Sequence, residues 1–249
     1  MDIFGIKIEF DKDAFRNILK DGLNKSLPGY VCVVDGNVLS MTHRDENYRQ
    51  IVRNAYVNTC DGSSIAAMAN RLYGTDYRAY TGPEIFADYI DNPVYSQVLL
   101  GNTVEKFDQI VGKLRQEGKY TSHLVHIPLP FSGIDEFDYE GIASMINAIG
   151  ADIIWVSLGA PKQEMFMSRI LPFLNSGLMF GIGAAFNFYV GDISQPNMRV
   201  KALRFNWLIR IFKEPQKQLR RVWGILKAYP AIYMEEKKRS IKSLPAEER

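Results

Sequence analysis

Short apolar runs bounded by Gly-rich or polar turns recur along this chain, and most are followed by a stretch with apolar residues at three- and four-residue spacing. Runs of the first kind predict buried strands and spacing of the second kind predicts amphipathic helices. Strands are expected at residues 30–34, 57–60, 96–100, 123–127, 152–158 and 178–182, with helices at 45–55, 65–72, 105–117, 139–149 and 162–170. Residues 152–158, DIIWVSL, form the most continuous apolar run, as a strand buried on both faces requires. Punctuation supports these boundaries. Asp35-Gly36-Asn37 reads as a turn, Asp61-Gly62 stops the strand before it, and Ser63 and Ser64 then offer capping hydroxyls to a helix. Gly159-Ala160-Pro161 ends the longest strand, with Pro161 where a helix begins. Alternating strands and helices predict an α/β fold, a doubly wound and mostly parallel sheet covered on both faces. In such a sheet the strand-to-helix loops collect at the ligand-binding carboxyl edge.

Near residue 196 the pattern changes. Residues 200–212 and 218–229 read as basic amphipathic helices with no strand after them, so the chain divides into a domain at 1–195 and a helical appendage at 196–249. Leu219, Val222, Trp223 and Leu226 share one helix face, with Lys217, Arg220, Arg221 and Lys227 largely off it. Charge follows the same division: residues 1–200 carry 17 basic against 23 acidic side chains, and residues 201–243 carry 12 against 3. A basic tail on an otherwise acidic chain points to an anionic partner, nucleic acid or membrane lipid. With 249 residues, 47% of them hydrophobic, there is ample material for a large core. Cys32 and Cys60 lack metal or disulfide spacing, and no signal peptide or run of about 20 apolar residues is present, so a cytoplasmic protein is expected.

Four constellations could carry chemistry. Asp35 and Asn37 in one loop and Asp61 in another would face a single cleft if the two preceding strands are adjacent and parallel. A carboxylate there could take the proton of an attacking hydroxyl, although Asp-Gly pairs also serve as ordinary turns. In VSLGAPKQE, Gly159, Lys162 and Gln163 stand at a helix N-terminus that suits a diphosphate and a sugar, or they form a plain strand-to-helix connection. The glycines of GIGAAFNF, with Gly183 and then Asn187, allow close backbone approach to a ligand. Arg204, Arg210, Arg220 and Arg221, interleaved with Trp207, Phe212 and Trp223, suit a lipid diphosphate at a membrane surface, or form a solvated helix face. His43, His123 and His126 have no metal-site spacing, and the serine-hydrolase elbow, the P-loop and the early GxGxxG fingerprint are missing.

In this order, CDGSSIAAMANRLYG, TGPEIF, WVSLGAPKQEMF, GIGAAFNFYVG and FNWLIRIFKEPQKQLRRV resemble the WecG/TagA/CpsF glycosyltransferases, glycosyltransferase family 26, over roughly residues 28–225. That resemblance implies a Rossmann-like domain of the GT-E type with a basic helical appendage that reaches the membrane. It implies an inverting enzyme that moves a hexose or N-acetylhexosamine-type sugar from a UDP donor to an undecaprenyl-diphosphate-linked saccharide in surface polysaccharide synthesis, with no metal and no cofactor. The family's base falls on Asp61 and its PKQE glutamine on Gln163. Its appendage arginines fall on Arg204, Arg210, Arg220 and Arg221; Asp35, Asn37, Gly159, Lys162, Gly183 and Asn187, read from the loops themselves, are the candidate substrate-binding residues.

Implied partners are the UDP-sugar, the polyprenyl-diphosphate acceptor and the inner face of the bacterial cytoplasmic membrane, without nucleic acid; a homo-oligomer stays open. Three positions depart from the family pattern. Asp35 stands where a threonine is usual and adds a negative charge beside the candidate base. Asn187 replaces an aspartate, and Ser194-Gln195-Pro196 replaces an RAP-like element. Two other readings compete, an NAD-dependent oxidoreductase and a nucleotide- or nucleic-acid-binding regulator. Stabilisation by UDP, against a response to NADH or salt-sensitive DNA or RNA binding, separates the three.

Overall fold

The computed structural model describes residues 1–192, 199–200, 203–204 and 215–243. Its centre is a six-stranded, all-parallel sheet built from β3 (Gly29–Val34), β4 (Val57–Cys60), β5 (Gln97–Leu100), β6 (Leu124–Ile127), β7 (Ile153–Val156) and β8 (Leu178–Gly181), in the order β4-β3-β8-β7-β5-β6. All six strands expected from the apolar runs are present. They are Rossmann-like in arrangement, with helices on both faces. A hairpin of β1 (Asp2–Ile3) and β2 (Ile6–Lys7) precedes them.

Strand alternation sends successive side chains to opposite faces. Tyr30, Cys32 and Val34 of β3 join one core, together with α2 (Gly36–Arg44), α3 (Glu46–Arg53), α4 (Ser63–Tyr73), α7 (Tyr139–Ile149) and α8 (Lys162–Ile170). Val31 and Val33 join the other, which is closed by α1 (Lys12–Asn24), α5 (Gly82–Tyr89), α6 (Val104–Gln116) and α9 (Ala185–Tyr189). Every residue of β3, β4, β5, β7 and β8 is buried. The buried Trp155 and Gln97 pair with each other: the Trp155 indole N–H donates to Gln97 Oε1 at 2.7 Å, and the Gln97 amide N–H donates to the Tyr89 carbonyl at 2.8 Å. Such pairing is what makes polar atoms tolerable in a core.

Two sequence expectations need correction. Asp35-Gly36-Asn37 is no free turn, because Gly36 opens α2 and Asp35 caps it. The helix expected from residue 200 does not start there: β9 (Arg199–Val200) pairs antiparallel with β10 (Leu203–Arg204) instead. The remainder of that expected helix, at 205–212, lies outside the described residues. The helix expected at 218–229 is part of α10 (Pro215–Ser243), which runs through Pro230.

α10 packs one of its faces inward. Ala228 and Ile232 enter the core beside α2 and α4. Glu236, almost fully buried, accepts from the Phe4 backbone N–H at 2.8 Å and from the Tyr73 hydroxyl at 2.5 Å, tying α10 to the hairpin and to α4. Leu219, Trp223 and Leu226 face solvent instead, at 57%, 62% and 61% exposure, with Met234 and Ile241 continuing their stripe. Among the described residues no helix is long and apolar enough to cross a membrane.

Candidate active site

β3 and β4 are adjacent and parallel with Val34 opposite Cys60, so Asp35 and Asp61 leave the sheet side by side at its carboxyl edge. Their loops touch: a Cβ on Gly62 would lie 3.5 Å from the Gly36 nitrogen. Asp35 Oδ1 accepts from the Asn37 and Val38 backbone N–H groups at 2.9 and 2.8 Å, satisfying two donors that the first turn of α2 leaves without helical partners. Its Oδ2 accepts from the Arg221 guanidinium at 3.1 Å, which offsets the extra negative charge beside Asp61. Asn37 is buried, with its amide nitrogen 3.5 Å from the Met41 sulfur.

Asp61 is held by a device that the sequence reading did not assign. Its backbone N–H donates to the Val34 carbonyl at 2.9 Å, and its Oδ1 accepts from the Gly82 N–H at 2.9 Å. Gly82 is the first residue of α5, which is capped by Thr81 and Glu84 in a reciprocal capping box with Pro83 in the first turn. One donor that the first turn of that helix leaves without a helical partner therefore aims at the Asp61 carboxylate. The signal was legible as Thr-x-x-Glu before an apolar run.

Across β3 the second half of the edge is formed by the loops after β7 and β8. Gly159, with φ of 77°, donates its N–H to Gln163 Oε1 at 3.0 Å. The Gln163 amide N–H groups donate to the Gly181 carbonyl at 3.0 Å and to Glu164 Oε1 at 2.8 Å. Gln163 thus ties the two loops together from a buried position. Glu164 is fully buried; its Oε2 accepts from the Tyr48 hydroxyl at 3.0 Å, and burial pushes its carboxyl up to about 7 against the pull of those hydrogen bonds.

Ser157 donates to the Gly183 carbonyl at 2.7 Å and accepts from the Asn102 amide at 3.4 Å, bringing in the β5 loop, where Asn102 adopts a left-handed φ of 65°. Neither Asn102 nor Ser157 was singled out from sequence, although Gly-Asn after a strand is a left-handed turn signal. The Lys162 ammonium is engaged by the Ser132 carbonyl and lies 4.8 Å from the Phe137 ring centre, on the connection after β6. Asn187 lies half-buried on α9 at this edge.

From the other direction α10 closes against the two aspartate loops. The Tyr229 hydroxyl lies 2.8 Å from Ser64 Oγ, and a Cβ on Gly36 would come within 2.5 Å of that hydroxyl, so only glycine lets the ring seat. We predict that Gly36→Ala displaces Tyr229 at a cost of about 1–3 kcal/mol. Faster hydrogen exchange over residues 221–241 than in the parent would record it, and unchanged exchange there would refute the contact. Of the four arginines expected on a diphosphate, Arg221 reaches this edge, Arg204 stands in β10, the Arg220 side chain lies outside the described residues, and so does Arg210.

The edge therefore joins a fixed carboxylate, glycine-containing loops that let a ligand approach the backbone closely, and an arginine. That combination can accept a proton from a hydroxyl and hold a phosphorylated ligand. Among the described residues no group of three His, Cys, Asp or Glu side chains could hold a metal ion. The family model described as "Glycosyl transferase WecG/TagA/CpsF family" matches residues 1–242, nearly the whole chain including α10. With the parallel sheet, the paired aspartate loops and that match together, the chain belongs to the WecG/TagA/CpsF glycosyltransferase family.

Proposed function

We propose that the protein transfers a hexose or N-acetylhexosamine-type sugar from a UDP-sugar to a polyprenyl-diphosphate-linked saccharide, with inversion, and that Asp61 is its base. The observation that carries the reading is the Asp61 carboxylate, fixed through Oδ1 by the Gly82 N–H beside the loops of β7 and β8. As the acceptor oxygen bonds to the anomeric carbon, its proton passes to Asp61. The bond from that carbon to the diphosphate oxygen breaks, and its electron pair leaves with UDP.

Gln163 acts from behind the surface by fixing the Gly159 and Gly181 backbones, against which the donor sugar and diphosphate rest. Residues 196–249 serve as the appendage, with Arg221 and its neighbours on the acceptor's diphosphate. The exposed stripe of Leu219, Trp223, Leu226, Met234 and Ile241, flanked by Lys227, Lys237 and Lys238, suits the cytoplasmic surface of the cell membrane.

UDP alone at one hundred times its Kd is expected to stabilise the protein by about 2.7 kcal/mol. Mixing the protein with a panel of UDP-sugars and a synthetic polyprenyl-diphosphate sugar is expected to give one product larger by a single sugar, detected by mass. No stabilisation by UDP and no product from any donor would end the proposal.

A further inference from the structure

At the same end of the sheet, beyond the edge strand β4, lies a groove of about 340 Å³ lined in part by Phe10, Lys12, Tyr77, Arg78, Tyr80 and Glu84. Pockets for small ligands begin at about 300 Å³. Backbone contacts fix its place. Glu9 bridges Thr59 in parallel, so Phe10 runs beside the end of β4. The Tyr80 N–H donates to the Cys60 carbonyl at 2.8 Å, and two residues later the Gly82 N–H holds Asp61. One short segment is both wall of the groove and clamp of the carboxylate.

We propose that this groove binds the saccharide portion of the acceptor and presents its hydroxyl to Asp61; the proposal rests on the transferase reading above. Two observations favour a sugar. The lining combines rings with charges of both signs: Phe10 and Tyr77 stack with centroids 4.5 Å apart, and the Lys12 ammonium sits 4.2 Å from the centre of the Tyr80 ring. Phe10 and Tyr80 are buried and back the wall, and the half-buried Tyr77 is the ring that can meet the C–H face of a pyranose. Lysine and arginine donors with carboxylate acceptors suit its hydroxyls, whereas a strongly charged ligand would meet like charge somewhere on the wall.

The second observation is direction. Inversion requires the attacking oxygen to enter opposite the leaving diphosphate, with the reacting atoms aligned. A diphosphate over the β7 and β8 loops stands on one side of β3, and β4 with the groove stands on the other. The sheet order itself supplies the line of attack.

The test uses the full chain with Tyr77→Ala and Arg78→Ala; the Arg78 side chain is 86% exposed, so its removal leaves the core untouched. With a synthetic polyprenyl-diphosphate sugar as acceptor, each variant is expected to raise the acceptor KM by about tenfold, equivalent to about 1.4 kcal/mol, with the KM for the UDP-sugar and the binding of UDP unchanged. Saturation-transfer NMR with free hexoses, N-acetylhexosamines and their disaccharides needs no turnover. It should show transfer from aromatic protons to sugar protons in the parent and lose it in Tyr77→Ala. An acceptor KM that does not move, a sugar signal that survives Tyr77→Ala, or no signal from the parent at millimolar sugar would overturn the groove. Failure of UDP to bind would instead overturn the transferase reading, and the NMR comparison would still decide whether the groove takes sugar.

Discussion

Asp61→Asn is expected to cut transfer by about 10²–10⁴-fold while leaving the fold and UDP affinity in place. The asparagine keeps an Oδ1 to accept from Gly82, and the backbone N–H still donates to Val34, so both of these contacts survive the substitution. What disappears is the ability to take a proton. The loss should therefore fall on kcat rather than on the KM for donor, because a base acts in the transition state and not on bound UDP. Steady-state rates beside a circular dichroism spectrum and a UDP titration check it. Turnover within a few-fold of the parent removes Asp61 from the role, and an unfolded variant would show that the charge of the carboxylate holds the loop, beyond the contacts that asparagine keeps.

Glu164→Gln is expected to make the protein more stable at alkaline pH, by up to about 3 kcal/mol, and to change little in mild acid. Burial raises the folded-state value of this carboxyl from 4.5 to about 7. Below the lower value both folded and unfolded chains hold the proton, and nothing is lost. Between the two the unfolded chain releases its proton while the folded chain keeps it, so stability falls as pH rises through the window and stays low above it. A glutamine carries no charge to bury, and its amide can accept from Gln163 and donate to the Tyr48 oxygen, keeping both contacts. Denaturant midpoints of parent and variant from pH 5 to pH 9 measure the difference. Parallel curves would mean that Glu164 titrates as an ordinary carboxylate. The charge bearing on this group is that of Asp35; the buried Tyr48 and Cys32 beside it are titratable but held neutral because burial pushes their proton affinities up.

The sheet was readable because parallel strands covered on both faces must be apolar throughout, as Ile153 to Val156 are. α2 was not, and its residues explain why. GNVLSMTHR places Asn37, Ser40 and Thr42 on buried positions, where the two hydroxyls donate to carbonyls three residues back, Asn37 at 3.0 Å and Leu39 at 2.8 Å. A polar side chain spent on its own helix cannot be told from an exposed one by pattern alone.

Asp61 stood out through its resemblance to a family motif, whereas its clamp was written locally in Thr81 to Glu84. The Asp35–Arg221 pair joins residues 186 positions apart and follows from no local rule. Similarly, the apolar spacing on α10 was read correctly as a stripe. Spacing does not tell which stripe of a two-faced helix goes inward, and here the smaller Ala228 and Ile232 do, because α2 and α4 approach closely.

β8 is the late strand that sits between β3 and β7, and its four residues bond to both. On one side β3 pairs with β4, and on the other β7, β5 and β6 pair among themselves, so every ladder between the two groups passes through residues 178–181. During synthesis the early pair and the later trio can each assemble as soon as they emerge, yet neither can find the other until β8 has left the ribosome. Such long-range closure is slow and leaves strand edges open while it waits. The aspartates and the β7 loop thus become parts of one edge only once β8 is in place between them.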